Sequence, residues 1–141
     1  MSYFAVPMPT PAVEPLTAAF WDGCQAGELR IAACGECGRH HHPPAVLCPT
    51  CRSPKRVHSV SAGRGVVFSY TVAHHAVHPT LADAVPYHIA VVKLDDCDGV
   101  LLTTNVVDLD QPLAIGMAVE LAWEIQEPDD FRLPRFRRRT S

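Results

Sequence analysis

No stretch of this 141-residue chain approaches the roughly 18–20 consecutive apolar residues of a membrane-spanning helix. The N-terminus shows no basic start followed by an apolar run, so no secretory leader is read there and the cytoplasm is the expected compartment. The sequence has no Walker lysine and no dinucleotide fingerprint, and Gly63-Arg64-Gly65 is too short to act as a phosphate loop. His74, His75, His78 and His88 have no serine or carboxylate in a recognisable relation to them, which leaves acid/base catalysis without a constellation. Asp95, Asp96 and Asp98 lack the spacing and the distal glutamate of a calcium loop. No internal repeat is visible.

What the chain does have is two Cys-x-x-Cys pairs, Cys34/Cys37 and Cys48/Cys51. Each pair points two thiolates at one place, and two such knuckles together offer the four soft, tetrahedral ligands that suit zinc. Gly35 and Gly38 allow the first knuckle to turn, Pro43 and Pro44 stiffen the connection, and Pro49 stiffens the second turn. Two disulfides or a redox dithiol are the alternatives. The first fits poorly with a chain lacking a leader, and the second does not need two knuckles. Four thiolates close the coordination sphere, so such a zinc holds structure and leaves no position for water or substrate. His40, His41 and His42 between the knuckles could replace one cysteine, but loop histidines are the simpler reading. Cys24 and Cys97 read as small buried apolar residues.

With 48% apolar residues the chain can bury one compact core, or one core beside a metal-stapled module. Its net charge of −3 hides a segregation. From Arg30 to Arg64 there are six basic residues and one acid; from Asp83 to Asp130, eleven acids and one base; and five arginines lie between Arg132 and Arg139. That pattern favours a specific docking surface over a general polyanion binder, whose groove would be basic throughout.

Residues 1–13 read as an extended lead. Pro15 can open a helix in which Leu16, Ala19 and Phe20 recur at helical spacing beside Trp21, and Gly23 and Gly27 break or end it. Such a helix is too short to stand alone, so Phe20 and Trp21 need a surface, either of this chain or of another. Leu29 to Ala33 reads as a short strand entering the first knuckle. Beyond the knuckles the period changes to two. Strands are predicted around Arg56 to Ser61, Val66 to Ala73, Tyr87 to Leu94, Val100 to Val107, and Met117 to Ile125. Gly63-Arg64-Gly65 marks a bend or bulge and Asp96-Cys97-Asp98-Gly99 a hairpin turn. The expected fold is mainly β: an N-terminal segment (1–30) with one helix, a rubredoxin-like zinc ribbon (31–55), and a five-stranded OB-type barrel (56–141) ending in a basic tail. A sandwich would need about seven strands.

Several motifs in this order resemble a known family, the zinc-ribbon plus OB-fold proteins called DUF35. They are Phe20-Trp21, Gly27-Glu28-Leu29, the two knuckles with Pro43-Pro44, Gly63-Arg64-Gly65-Val66-Val67-Phe68-Ser69-Tyr70-Thr71, Pro86-Tyr87, Ile115-Gly116-Met117 and Leu133-Pro134-Arg135-Phe136. Together they span nearly the whole chain. The resemblance implies a non-catalytic companion of thiolase-fold enzymes, including acyl-CoA thiolases, steroid side-chain aldolases and acyltransferases, sometimes joined to hot-dog-fold hydratases. In these assemblies the partner supplies the catalytic groups, and the OB module stabilises it or helps bind CoA. Arg52 stands where a glycine often follows the second knuckle, a departure that leaves the zinc ligands intact.

Arg64 could meet an anion such as a CoA phosphate, or be a solvated arginine on a bend. The segment Phe131 to Arg139 reads by default as a solubilising tail, with Arg135 and Phe136 as candidate contacts to CoA or to a partner. Phe20 and Trp21 are candidates for the same role. An alternative function is single-stranded nucleic-acid binding. It is disfavoured because the barrel sequence is acidic and Phe68, Tyr70, Tyr87 and Trp123 mostly fall in phase with core positions. A self-sufficient zinc hydrolase is a third reading. Loss of zinc is expected to release a partner before the barrel unfolds.

Overall fold

The computed structural model describes Tyr3, Phe4, residues 8–127 and residues 129–140. Part of the expected extended lead therefore lies outside the described residues. Helix α1 (Ala18–Gln25) follows a turn over residues 15–17 and turns Phe20, Gly23 and Cys24 inward. Gly23 sits inside the helix, where a Cβ would come within 2.7 Å of the Arg30 side chain. Its missing side chain lets α1 lie close against the next strand. Gly27, with φ of +77°, ends the helix.

Strand β1 (Leu29–Cys34) is the centre of a three-stranded antiparallel sheet, between β2 (His40–His41) and β3 (Arg56–Ser61). Although β3 falls in the range expected for the barrel, its hydrogen bonding runs with β1 over its whole length, from Leu29↔Ser61 to Cys34↔Arg56. The second sheet contains β4 (Arg64–Ala73), β5 (Tyr87–Leu94), β6 (Leu101–Thr104), β7 (Val106–Val107), β8 (Ala118–Gln126) and β9 (Phe131–Arg138), in the order β6-β5-β4-β8-β9-β7. Its pairings are antiparallel except for β7 with β9. Since Asn105 alone separates β6 from β7, the two act as one interrupted strand that pairs with β5 on one side and β9 on the other. This closes the five-stranded OB barrel.

Gly63 and Gly65 carry the chain from one sheet to the other. Gly63 has φ of +71° and would drive a Cβ to 2.6 Å from that of Leu121, while a Cβ on Gly65 would meet the Lys93 carbonyl. The bend lies where the two glycines predict it, and the register shift comes later, between Val67 and Ser69. One apolar core spans both sheets: Phe20, Cys24, Leu29 and Ile31 pack with Val67, Ala90, Val92, Leu102, Val119 and Phe136. Among the described residues no helix is long and apolar enough to cross a membrane.

Three strand readings are corrected. On β4 the inward face carries Gly65 and Val67, so Phe68 and Tyr70 are not core residues but are 50% and 40% exposed. Past the bulge the strand projects beyond the barrel and is open on both faces. On β8 the inward phase changes along its length: Val119 is buried as expected, but at the far end Glu124 and Gln126 are buried and Ile125 is exposed. The basic tail is strand β9. Three of its four arginines pair with acids, Arg135 with Glu124, Arg137 with Glu120 and Arg138 with Asp110, at 3.0, 3.1 and 2.8 Å.

Glu124 is the most deeply buried of these acids. Its carboxylate accepts from the Tyr3 N–H (2.9 Å), Arg135 Nε (3.0 Å) and Gln126 Nε2 (3.3 Å). Burial alone would raise its pKa. The Tyr3 N–H and Arg135 outweigh that and hold it below its ordinary value of 4.5. Glu124→Ala should cost about 3 kcal/mol, because Arg135 would be left buried and unpaired. A carboxylate with a depressed folded pKa contributes stability above its unfolded pKa and loses it as pH falls through the folded value. Wild-type urea midpoints should therefore drop below pH 4.5, and those of Glu124→Ala should drop less.

Candidate metal centre and its surroundings

Cys34 ends β1, so one thiolate sits on a rigid strand, and the chain then folds back through Gly38, whose N–H donates to the Cys34 carbonyl at 3.1 Å. The second knuckle repeats the turn: the Arg52 N–H donates to the Cys48 carbonyl at 2.9 Å. Gly38 and Arg52 occupy equivalent places with φ of +76° and +65°. The knuckle therefore demands a left-handed residue after its second cysteine, and Arg52 meets that demand under strain.

The four Sγ atoms lie within 4.8 Å of one another, with Cys34–Cys51 at 3.5 Å and Cys37–Cys48 at 3.7 Å. A tetrahedral zinc with Zn–S bonds of about 2.3 Å needs S–S edges of roughly 3.8 Å, so these residues fit the ion. Backbone N–H groups are already aimed at the sulfurs, Glu36 and Cys37 at Cys34 (both 3.4 Å), and Thr50 (3.4 Å) and Cys51 (3.5 Å) at Cys48. The Cys37 and Glu36 N–H groups bring the Cys34 thiol down to about 6, and the Cys51 N–H lowers that of Cys48. Against an N–H from Arg39, burial and the neighbouring thiols raise Cys37, and against an N–H from Ser53 the neighbouring Cys34 pushes Cys51 up to about 12. Two of the four sulfurs thus favour the thiolate by themselves, and Cys34, Cys37, Cys48 and Cys51 together would hold a closed structural zinc. Cys24 and Cys97 are fully buried, and burial pushes their thiols up to about 12 and about 11.

None of the three histidines between the knuckles joins the sulfur cluster. His40 braces ribbon to barrel: its N–H and Nδ1 reach Asp98 at 2.9 and 2.7 Å, and Nε2 reaches Ser59 at 2.7 Å. From the same β5–β6 turn, Asp96 accepts from Ser61 Oγ and the Ala62 N–H, both at 2.7 Å. Sequence reasoning gives these two aspartates no such role. Their one signal is the Asp-x-Asp spacing, which places both carboxylates on one turn. His41 is buried with neither ring nitrogen partnered. His42 packs on Phe20 at 5.3 Å, and burial lowers its pKa.

Of the residues nominated for CoA or partner contact, three line one cleft of about 320 Å³: Phe20, Trp21 and Arg135, beside His42, Pro43 and Leu133. Phe20 is itself 8% exposed and belongs to the core, while the half-buried Trp21 meets Phe20 edge-on at 4.9 Å and Phe131 at a tilt at 5.3 Å. Arg135 is engaged by Glu124 and also donates to Asn105 Oδ1 at 2.8 Å. Phe136 has no surface to offer, being 0% exposed in the core. Arg64 is exposed, away from that cleft, and makes no ion pair among the described residues.

Residues 21–55 match the family model of the rubredoxin-like zinc ribbon domain of ChsH2, and residues 59–124 match that of the ChsH2 C-terminal OB-fold domain. The chain is 38% identical over 130 residues to a probable enoyl-CoA hydratase alpha subunit of Thermomonospora curvata, covering 92% of this chain and 39% of that protein. It thus spans about two-fifths of that relative's length. A DUF35 domain-containing scaffold protein of Methanothermobacter thermautotrophicus is 30% identical over 101 residues, which cover 70% of this chain and 74% of that protein. Among solved structures, a chain of an Ltp2-ChsH2(DUF35) aldolase superposes with a TM-score of 0.79 at 37% identity, covering 92% of this chain and 98% of that one.

Elemental analysis of the purified protein should find one zinc per chain, and Cys48→Ser should abolish it. Because Leu29 and Ile31 of β1 belong to the barrel core, metal loss should also lower the thermal midpoint of the whole chain, contrary to the separation expected from sequence. Arg52→Gly should relieve the left-handed strain and stabilise the zinc-loaded protein by roughly 0.5–1 kcal/mol in urea titrations.

Proposed function

The chain belongs to the DUF35 family, in the ChsH2-type form that joins a zinc ribbon to an OB fold, and from that premise we propose that it is an accessory subunit docking on a thiolase-fold enzyme. It stabilises that partner within a complex that makes or breaks carbon–carbon bonds of acyl-CoA substrates in lipid or steroid metabolism, in the cytoplasm. The observation that carries this reading is the match to a chain of an Ltp2-ChsH2(DUF35) aldolase, which spans nearly all of both chains. The likeness to a hydratase alpha subunit adds a hot-dog-fold hydratase as a further partner. The four-thiolate centre supports a non-catalytic role, since it leaves no ligand position open to substrate.

The proposal includes a CoA contact at the partner interface. The cleft between Trp21, Pro43 and Leu133 is apolar and opens beside Arg135. Arg64 is the more available cation for a phosphate, because Arg135, Arg137 and Arg138 are each paired with an acid.

One observation favours the second reading, single-stranded nucleic-acid binding: Phe68 and Tyr70 are exposed on the barrel, where bases could stack. It ranks below the first because three of the four arginines of β9 are paired with acids of the fold and do not line a basic groove. Binding to single-stranded DNA that is strong at low salt and falls steeply with added salt would reverse that order.

Co-expression with a thiolase-fold enzyme from the same genome should give one complex on size exclusion, with partner activity or lifetime raised in the complex. Separate elution with unaltered partner activity would overturn the proposal.

A further inference from the structure

Strand β4 is ten residues long, yet β8 accompanies only its first part: Arg64–Val66 pair with Ala118–Glu120, and Val67 bonds to Gly116 and Met117. From Phe68 to Ala73 one edge pairs with β5, and the other has no strand beside it among the described residues. Phe68, Tyr70 and Val72 share one face of this projecting segment and are 50%, 40% and 43% exposed. Ile115, 68% exposed, precedes the glycine that bonds to Val67 and so lies at the start of this open segment. Together they leave an apolar area on the order of a few hundred Å², the size at which a patch marks an interaction site.

Natural proteins guard an open edge with charge, proline or a covering element. Here residues 65–82 contain no Asp, Glu, Lys or Arg, and the first proline is Pro79. An unguarded edge next to exposed aromatics has the composition of an interface centre, where charge is depleted and Phe and Tyr are enriched.

Resting on the accessory-subunit reading above, we infer that this half-strand is the surface on which the partner enzyme sits, adding a strand to the open edge and covering Phe68, Tyr70, Val72 and Ile115. A second copy of this chain is the weaker occupant. Edge-to-edge pairing of two β4 strands would leave their apolar faces open side by side, and would bring together two chains of net charge −3. The loop that follows β4 exposes Asp83, and residues 65–82 hold no Lys or Arg, so this end of the patch is bordered by an acid and by no cation. It complements an enzyme surface with an apolar centre, an unpaired strand and a basic rim.

The test uses the full chain and the co-expressed thiolase-fold enzyme, with binding measured by calorimetry. Phe68→Glu/Val72→Glu should weaken binding at least about 30-fold, and Tyr70→Ala, a milder change at an exposed position, about tenfold. Ile125→Glu, at the exposed far end of β8, should stay within twofold. Thermal midpoints near the wild-type value establish that the variants are folded. If the charged pair and Tyr70→Ala bind as tightly as wild type, this surface assignment is wrong and the accessory role stands. If wild type itself does not bind the enzyme, both fail. A concentration-dependent dimer of wild type that the charged pair abolishes would give the face to a second copy, and captured single-stranded DNA lost in the same variant would give it to nucleic acid; either overturns the inference.

Discussion

Glu124 has 1% of its surface exposed, and its carboxylate is where the barrel closes. It receives the Arg135 guanidinium from the neighbouring strand and the Tyr3 N–H from the start of the chain. Arg135 reaches on to Asn105, whose side-chain amide donates to the His88 carbonyl at 2.6 Å. One polar chain thus links β8, β9, the break between β6 and β7, and β5. That break is where a barrel is hardest to close, because Asn105 interrupts the ladder and β9 contains Pro134, which has no N–H to give. Thr104 helps there by donating to the Pro134 carbonyl at 2.9 Å. A buried charge is costly unless paired and hydrogen-bonded, and the completeness of this network allows the acid to stay ionised inside.

A second constraint makes ribbon and barrel one body. Leu29 and Ile31 project from the ribbon sheet into the barrel core, and the β5–β6 turn holds the ribbon from outside through Asp96 and Asp98. Backbone donors lower both carboxylate pKa values, the Ala62 N–H with the Ser61 hydroxyl overcoming the effect of burial at Asp96, and the His40 N–H acting at Asp98. The four thiols that would hold zinc lie at the far end of the same sheet. A change at the knuckles would therefore reach the barrel core through β1.

Much of this is legible in the chain because it depends on local periodicity or ligand spacing. The cysteine pairs specify their own geometry, the Gly63–Gly65 bend arises from two glycines in contact with neighbouring strands, and the alternation along β5 finds its strand. The illegible parts depend on long-range partners. The arginine-rich β9 looks like a tail until Glu120 and Glu124 are placed opposite it. The phase of β8 changes where Tyr3, distant in sequence, supplies a donor for Glu124. Periodicity likewise cannot show that β4 outruns the barrel, since alternation reads the same on a free strand as on a paired one.

The charge segregation then acquires a different meaning. A basic end on an acidic chain invites a phosphate ligand, yet three of its arginines are used within the fold, against Glu120, Glu124 and Asp110. Arg137 stands directly across from Glu120 and Arg135 lies diagonal to Glu124, so these pairs help fix the register of β8 and β9 as well as stabilising it. With these cations satisfied, long-range electrostatics contribute little to recognition on that side. Beyond Arg64 at its start, what β4 leaves unsatisfied among the described residues is neutral: a row of backbone groups and three large side chains on its outer half. Recognition through such a surface relies on shape and strand pairing, which suits a permanent subunit better than a transient, salt-sensitive encounter.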